Sequence, residues 1–145
     1  MYNNILIATD GSDLSVKGVA HGLALAKALQ AKVIAITVTE SWVTMVSGEL
    51  AMSFPVDEYE KGCAANAARI LSAAADQAKA AGVSCQTVHV KDQFPAEGIV
   101  ETAKARGCDL IVMASHGRRG VSRLLLGSQA QKVVTHSAVP VLIVR

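Results

Sequence analysis

The sequence has few aromatic residues, few cysteines and little net charge, and each shortage excludes a class of protein. Five aromatic residues stand against 24 alanines in 145 residues, a composition that favours closely packed helices over a β-sandwich. The three cysteines, Cys63, Cys85 and Cys108, lie far apart and never form C-x-x-C, so we expect neither a disulfide framework nor a zinc site. Fourteen Lys and Arg against twelve Asp and Glu give a net charge of +2, too balanced for an electrostatic nucleic-acid binder.

Long hydrophobic runs are also missing. Lys27, Gln30 and Lys32 interrupt the most apolar stretch, which falls short of the ~18–20 residues of a membrane span, so we expect no membrane segment. Residues 1–10 carry no basic n-region, and we expect no signal peptide and a cytoplasmic location. Apolar residues nevertheless make up 51% of the chain, and a domain of this length buries roughly 70% of its unfolded surface. We therefore expect a single folded domain over residues 1–145.

Five short apolar runs predict β-strands, at residues 4–9, 32–38, 83–90, 109–115 and 139–144. Four of them contain unbroken apolar stretches, which strands covered on both faces of a parallel sheet require. The third run is more mixed in composition and predicts an edge strand.

Helical patterns separate these runs. The first begins near Ser12, a suitable N-cap, and its apolar residues at helical spacing predict one buried face; that face comprises Val16, Val19, Ala20 and Leu23. The others span about 57–81, 95 to a stop at Gly107, and about 127–136. The alternation predicts an α/β fold, with right-handed crossovers and helices on both faces of an open, doubly wound, five-stranded parallel sheet of the Rossmann-like kind.

Two connections are long for such a fold and leave strands at the carboxyl edge, where open α/β sheets bind ligands. We expect residues 39–56 to form a lid or a partner surface, or to pack in the ordinary way against the second helix. Their large apolar side chains are Trp42, Met45, Met52 and Phe54. We expect the arginines of residues 116–126 either to neutralise the charge of a bound anion or to lie in an exposed, solvated loop. These arginines are Arg118, Arg119 and Arg123.

The second of these connections enters a helix at Gly127 and Ser128, which is typical of an anion site. A helix N-terminus presents unpaired N–H groups, glycine lets an anion approach the backbone, and the Ser128 hydroxyl adds a donor. The alternative is that glycine only turns the chain and that Ser128 only caps its own helix. The sequence contains no Walker A loop, and no G-x-G-x-x-G follows the first strand.

Catalytic patterns are weak throughout the sequence. We find no nucleophile–base pair, no G-x-S-x-G elbow, no lysine aimed at a γ-phosphate and no metal cluster beyond Asp10 and Asp13. The four histidines have no spacing suited to a metal cage, and His116 is the one that lies inside the candidate loop. We therefore expect no dedicated catalytic residues and no metal site.

Four segments together resemble the universal stress protein family over essentially the whole chain. They read ILIATDGS at 5–12, PAE at 95–97, DLIVMASHG at 109–117 and SAVPVLIV at 137–144. Nucleotide-binding members of this family carry G-x-x-G, nine residues, then G-[ST]. Gly117, Gly127 and Ser128 match this pattern, whereas Ala114 replaces its first glycine. Alanine would be strained there if the position needed a positive φ, and tolerated if it needed only a small side chain.

The resemblance implies an adenine-nucleotide site in a fold similar to that of the adenine-nucleotide α-hydrolases. Asp10 would accept hydrogen bonds from the ribose hydroxyls, although a carboxylate there is also suited to capping the following turn at Ser12 or Asp13. The base would be lined by Ala8 and Thr9 and contacted by Val38. The ribose would be flanked by Met113 and Ala114. The phosphates would be held by Gly117, Gly127, Ser128 and Gln129, with Arg118 beside them.

Three functions remain open at this point. The first is a cytosolic homodimer that binds ATP, ADP or cyclic AMP and signals in the stress response. Mg²⁺ would be able to accompany ATP, and slow ATP hydrolysis or autophosphorylation would need no dedicated base. The second is a dimer of the same family that binds no nucleotide and acts through protein partners, which Ala114 favours. The third is an enzyme related to the ATP pyrophosphatases, but residues 10–15 match their S-G-G-x-D-S loop only loosely. The apolar edge at 139–144, from Val139 to Val144, and the resemblance both imply dimerisation through that strand.

Overall fold

The computed structural model describes residues 1–42, 55–118 and 125–145. Strands and helices alternate along the described chain: β1 (Asn4–Ala8), α1 (Asp13–Leu29), β2 (Lys32–Thr39), α2 (Val56–Ala81), β3 (Cys85–Lys91), α3 (Pro95–Ala105), β4 (Leu110–Ala114), α4 (Ser128–His136) and β5 (Val141–Val144). The five strands form one parallel sheet in the order β3-β2-β1-β4-β5. The predicted α/β fold is confirmed. None of the helices in the described ranges has both the length and the apolar character needed to cross a membrane.

Two layers of helices cover the sheet because its central strands are apolar on both faces. Ile5 and Ile7 of β1 belong to the core under α1 and α2, whereas Leu6 and Ala8 belong to the core under α3 and α4. Ile5, Leu6 and Ile7 are fully buried. An alternating strand would leave one face in water, so the continuous apolar run of β1 requires both helical layers.

The buried face of α1 differs from the predicted one. Val19 and Leu23 are buried as expected, but Val16 and Ala20 are exposed, and glycines take their place against the sheet. A β-carbon on Gly22 would lie 2.5 Å from Ile7 Cδ1, so this helix packs closer to β1 than an alanine would allow. The prediction was wrong because it counted only large apolar residues as a contact face.

Both edges of the sheet lie where the sequence predicted them. β3 is mostly half-exposed or exposed, and β5 at the opposite edge leaves Leu142 37% exposed. β5 begins at Val141 rather than Val139, because Pro140 has no N–H to donate and the backbone of Val139 pairs with the Ser137 hydroxyl. The C-terminal edge therefore carries a short apolar strand.

Candidate functional site

The sheet order places a crevice at the carboxyl ends of β1 and β4. The helices α1 and α2 that follow β1 and β2 cover one face of the sheet, and α3 and α4 cover the other. The strand order therefore reverses between β1 and β4, and the loops that leave these strands separate to opposite faces. Ligands bind at such a switch point in open α/β sheets. Asp10 follows β1 there, and the loop that begins at Ser115 follows β4.

The carboxylate of Asp10 joins the two loops. Its Oδ1 accepts a hydrogen bond from the Ser12 backbone N–H at 2.9 Å, and its Oδ2 accepts one from the Arg118 backbone N–H at 3.0 Å. Gly117 makes this approach possible, since a β-carbon at that position would lie 2.5 Å from Asp10 Oδ2. The expected capping of the turn at Ser12 is thus present. Each oxygen keeps acceptor capacity for a further donor.

The hydrogen bonds of Asp10 also determine its charge. Burial acts to raise the pKa of the carboxyl group, but the hydrogen bonds from Ser12 and from the Arg118 backbone outweigh it and hold the pKa below the ordinary value of 3.8. Asp10 is therefore a charged acceptor at neutral pH. Such a carboxylate is suited to bind the paired hydroxyls of a sugar.

The N-terminus of α4 forms the opposite wall of the crevice. Gly127 is its N-cap, and the Gly127 N–H donates to the Ser115 carbonyl oxygen at 2.8 Å, which brings the two ends of the loop 116–126 together. A β-carbon on Gly127 would lie 2.7 Å from that same oxygen. No side chain in the described ranges caps α4, so the N–H groups of its first turn, at Ser128, Gln129 and Ala130, are free to bind an anion.

Gln129 connects this wall to α3. Its Oε1 accepts from the Ala96 backbone N–H at 3.1 Å, a donor that the N-cap residue Phe94 cannot satisfy. This hydrogen bond engages the side-chain oxygen of Gln129 with the start of α3 and leaves the amide NH₂ of Gln129 able to donate to another acceptor. The sequence prediction assigned Gln129 to the phosphates; in the structure its side-chain oxygen holds the two helix starts together.

The predicted base-side residues lie on the same side of the crevice as α3. Val38, at the end of β2, is half-buried and packs closely on α3, where a β-carbon on Gly98 would lie 2.9 Å from Val38 Cγ2. Ala8, and Met113 from the predicted ribose side, are buried in the core beneath α3 and α4. The structure thus brings Val38, Ala8 and Met113 to one face of the sheet, with Asp10 and α4 at its edge.

Thr9 and Arg118 are placed differently from the prediction. The Thr9 hydroxyl lies 3.0 Å from the Ser15 hydroxyl and accepts from the Gly11 N–H, so it serves the β1–α1 turn. The Arg118 guanidinium lies over the same turn, since its Nη2 would be 3.2 Å from a β-carbon on Gly11. Arg118 therefore contributes its backbone N–H to Asp10, and its charge lies beside α1 rather than at α4. Arg119 and Arg123 lie outside the described residues.

Ala114, the departure from the family pattern, is an ordinary strand residue. Positive φ angles among the described non-glycine residues occur at Gln30 and Asp92, and Ala114 pairs with Val144 inside β4. Its neighbour Met113 faces α3 and α4, so the alternation of the strand places the Ala114 methyl on the α1 face. The position does not require the conformational freedom of glycine.

The apolar connection 39–56 is described only at its ends. Trp42 packs against Tyr59 of α2, with the ring centroids 4.8 Å apart and the ring planes tilted by 53°. The Tyr59 hydroxyl donates to the Glu40 carbonyl oxygen. The packing against the second helix is thus present for Trp42. Met45, Met52 and Phe54 lie outside the described residues.

Sequence reasoning missed one side-chain pair at the site. Ser115 Oγ lies 3.0 Å from His116 Nδ1. No sequence motif predicts this contact between the hydroxyl and the imidazole of adjacent residues. In the described ranges, no group of three His, Cys, Asp or Glu side chains lies close enough together to hold a metal ion.

Comparison with known proteins agrees with this architecture. The model of the universal stress protein family matches residues 1–145. The universal stress protein YxiE of Bacillus subtilis is 34% identical over 149 aligned residues that cover all of both chains. A universal stress protein solved in complex with cAMP is 30% identical, with a TM-score of 0.73 over 99% of this chain and 97% of its own. MJ0577 of Methanocaldococcus jannaschii is 27% identical, with a TM-score of 0.81 over 99% of this chain and 96% of its own.

The family match covers the segments that carry the resemblance, and the solved relatives share the sheet and both helical layers. The chain belongs to the universal stress protein family.

Proposed function

We propose that this protein binds an adenine nucleotide in the crevice between β1 and β4 and acts in the cytoplasm as a stress-response signalling protein. The observation that carries the proposal is the opposition of two complementary groups across the crevice: the charged Asp10 carboxylate at the end of β1, and the free N–H groups at the start of α4. A sugar diol needs the first and a phosphate needs the second. The relative solved with cAMP supports an adenine ligand.

The remaining residues of the site would contact the base, the ribose and the phosphates of the ligand. Val38, Ala8 and the backbone of Thr9 supply the wall for the base, and Met113 and the backbone of Ala114 flank the ribose. Gly117 lets the loop approach the Asp10 carboxylate, and Gly127 lets the start of α4 approach the Ser115 carbonyl oxygen. Ser128 adds an exposed hydroxyl at the first position of α4. ATP and ADP carry both the ribose diol and the phosphates that this arrangement would bind, with Mg²⁺ able to accompany ATP. Cyclic AMP carries the adenine and a phosphate but keeps one free ribose hydroxyl for Asp10.

Ala114 was the feature in favour of a relative that binds no nucleotide. Because it adopts a strand conformation with its methyl group on the α1 face, it introduces no backbone strain and does not fill the side of the crevice under α4. The partner-only function therefore has less support than nucleotide binding.

Freshly purified protein should release an adenine nucleotide on denaturation, and calorimetry on the emptied protein should show binding of ATP, ADP or cyclic AMP. Binding is expected because the site pairs an acceptor for the ribose with donors for the phosphates. GTP is the matched control, since it shares the ribose and the phosphates and differs in the base. A protein that releases no nucleotide and gains no thermal stability from millimolar ATP, with or without magnesium, would support the partner-only function instead.

We also propose a homodimer that forms through the β5 edge. In a parallel ladder with β4, the carbonyls of Pro140 and Val144 face β4, so the backbone groups of Val141 and Ile143 face outward. Leu142 is 37% exposed and lines a groove with Ala20 and Ala24 of α1. A second copy would pair these backbone groups and cover this apolar surface.

Ile143→Pro should convert the dimer to a monomer in analytical ultracentrifugation, because proline removes an outward N–H while edge strands tolerate it. Thr87→Pro is the matched control: Thr87 occupies the corresponding outward position on β3, and this variant should remain dimeric. An Ile143→Pro protein that sediments as an intact dimer would remove β5 from the interface.

A further inference from the structure

A small cavity lies between α1 and α2, on the face of the sheet opposite α3 and α4. Its volume is about 120 Å³, and its apolar lining comes from Val16 and Val19 of α1 and from Ile70, Ala73 and Ala74 of α2. Val16 is 40% exposed and Ala73 is also exposed, so the cavity opens to solvent. An apolar ligand therefore has a path into it.

The turn between β1 and α1 forms one end of the cavity. Thr9 and Gly11 line this end. The Thr9 hydroxyl is paired with the Ser15 hydroxyl and accepts from the Gly11 N–H. Because this hydroxyl is satisfied within the protein, it requires no polar partner in the cavity, and this end is suited to an apolar group.

Two guanidinium groups lie beside the cavity. Arg69 lines it from α2, and its Nη2 donates to the neutral Asn66 Oδ1. A β-carbon built on Gly11 would lie 2.8 Å from Ile70 Cγ1 and 3.2 Å from Arg118 Nη2, so the Arg118 guanidinium lies against the same turn as the Ile70 side chain. Over the part of the chain that the structure describes, no carboxylate pairs with either guanidinium. These two positive charges favour an anionic group on the ligand.

The volume and the charge together define the chemistry of the ligand. An apolar cavity of roughly 150 Å³ holds a benzene molecule, so the cavity here admits a branched aliphatic chain of about four carbons. A carboxylate at the end of that chain matches the planar fork of a guanidinium, and the amide of Gln77, which also lines the cavity, adds a neutral donor. A nucleotide is too large for this volume.

We propose that this cavity binds a short-chain aliphatic carboxylate of the size of isovalerate. The alkyl group lies between Val16 and Ile70, and the guanidinium groups of Arg69 and Arg118 hold the carboxylate at the solvent side. The site is separate from the proposed nucleotide crevice, because it lies in the opposite helical layer and uses the Arg118 guanidinium, whereas Asp10 binds the Arg118 backbone N–H.

An NMR titration of the methyl groups with isovalerate tests the site directly. The methyl resonances of Val16 and Ile70 should shift until the site is saturated, whereas those of Ile111 and Val133, in the core beneath α3 and α4, should not move. Isovaleramide is the matched neutral ligand, since it has the same alkyl group and nearly the same volume. It should bind about fivefold more weakly, because it forms no ion pair with the guanidinium groups.

Substitutions separate the charge from the cavity. Arg69→Gln and Arg118→Gln should each reduce the preference for isovalerate over isovaleramide. Ala73→Leu should abolish the binding of both ligands because the larger side chain fills the cavity, and it should fold because Ala73 is exposed. Lys61→Gln, at an exposed position of α2 outside the cavity, controls for the loss of one positive charge and should keep the wild-type preference. Thermal denaturation without ligand confirms that each variant is folded.

Three results would overturn the proposal. The first is the absence of a saturable shift with isovalerate, and the second is isovalerate binding that persists in Ala73→Leu. The third is equal affinity for isovalerate and isovaleramide, which would show that the guanidinium groups select no carboxylate. Neither titration contains a nucleotide, so a protein that binds isovalerate and no adenine nucleotide would contradict the proposed function and leave the carboxylate site standing.

Discussion

Gly127→Ala should abolish the stabilisation of the protein by ATP and lower its free energy of unfolding by about 1–3 kcal/mol. The new β-carbon would lie 2.7 Å from the Ser115 carbonyl oxygen, which accepts the Gly127 N–H at 2.8 Å. Because that oxygen belongs to the backbone, it cannot move aside without separating the two ends of the loop 116–126. The first turn of α4 would then shift away from Asp10. Chemical denaturation gives the stability, and thermal shift with ATP gives the ligand effect.

Gly62→Ala is the matched control for this substitution. Gly62 lies in α2 with nothing within 4 Å of a built β-carbon, so alanine should stabilise the protein by about 0.5–1 kcal/mol through helix propensity and leave the ATP effect unchanged. The alternative, that Gly127 serves only the turn and the helix cap, predicts a loss of stability with the ATP effect retained. A Gly127→Ala protein with wild-type stability and wild-type ATP response would contradict both.

The strands of this fold can be predicted from local sequence because the apolar or mixed character of consecutive residues indicates whether a strand is covered on both faces. The run Ile5-Leu6-Ile7-Ala8 can be covered on both faces only in the centre of a sheet, and β1 is central. The run at 83–90 is mixed in composition, so it is not suited to burial on both faces, and it lies at an edge of the sheet. The buried face of α1 was predicted less well, because the contact of Gly22 with Ile7 depends on the spacing of two layers. A glycine in a helix carries no hydrophobic signal from which that spacing can be predicted.

The candidate site divides in the same way. Gly127 and Ser128 were predicted because a helix start is visible in the sequence, whereas the family resemblance implied the role of Asp10. The bond from Ala96 to Gln129 joins residues 33 positions apart, and no local pattern predicts it. The placement of the Arg118 guanidinium over Gly11, on the α1 side, also depends on the path of the loop in three dimensions. Chemistry-bearing residues are therefore predictable at this site, whereas their partners are less so.

Ala114 shows how geometry decides a question that the sequence leaves open. A departure from a family glycine is serious where the backbone needs a positive φ. Ala114 lies within β4 and pairs in register with Val144, an arrangement that alanine adopts without strain. Ala114→Gly would restore the family pattern but has no strain to relieve, which is why the partner-only function cannot rest on this residue.

Asp10→Ala should weaken ATP binding by about 1–3 kcal/mol, the usual cost of losing a charged hydrogen-bond partner. The protein should still fold, because Asp10 lies beyond the end of β1 and belongs to neither hydrophobic core. Its stability should nevertheless fall, since the N–H groups of Ser12 and Arg118 lose their acceptor. Calorimetry measures the affinity; equal values for Asp10→Ala and wild type would remove Asp10 from the ligand site.

The same carboxylate should give the protein a defined response to acid. Its pKa lies below 3.8 in the folded state, so its contribution to stability is present above that value and is lost as the pH falls through the lowered pKa. Asp10→Asn should therefore be less stable than wild type at neutral pH, and the difference should shrink below pH 3.8 as wild-type Asp10 becomes protonated. Asp76→Asn, at an exposed position of α2, controls for the loss of one negative charge. Denaturation curves measured from pH 7 to pH 3 that keep a constant difference between Asp10→Asn and wild type would show that the hydrogen bonds from Ser12 and Arg118 do not depend on the charge of Asp10.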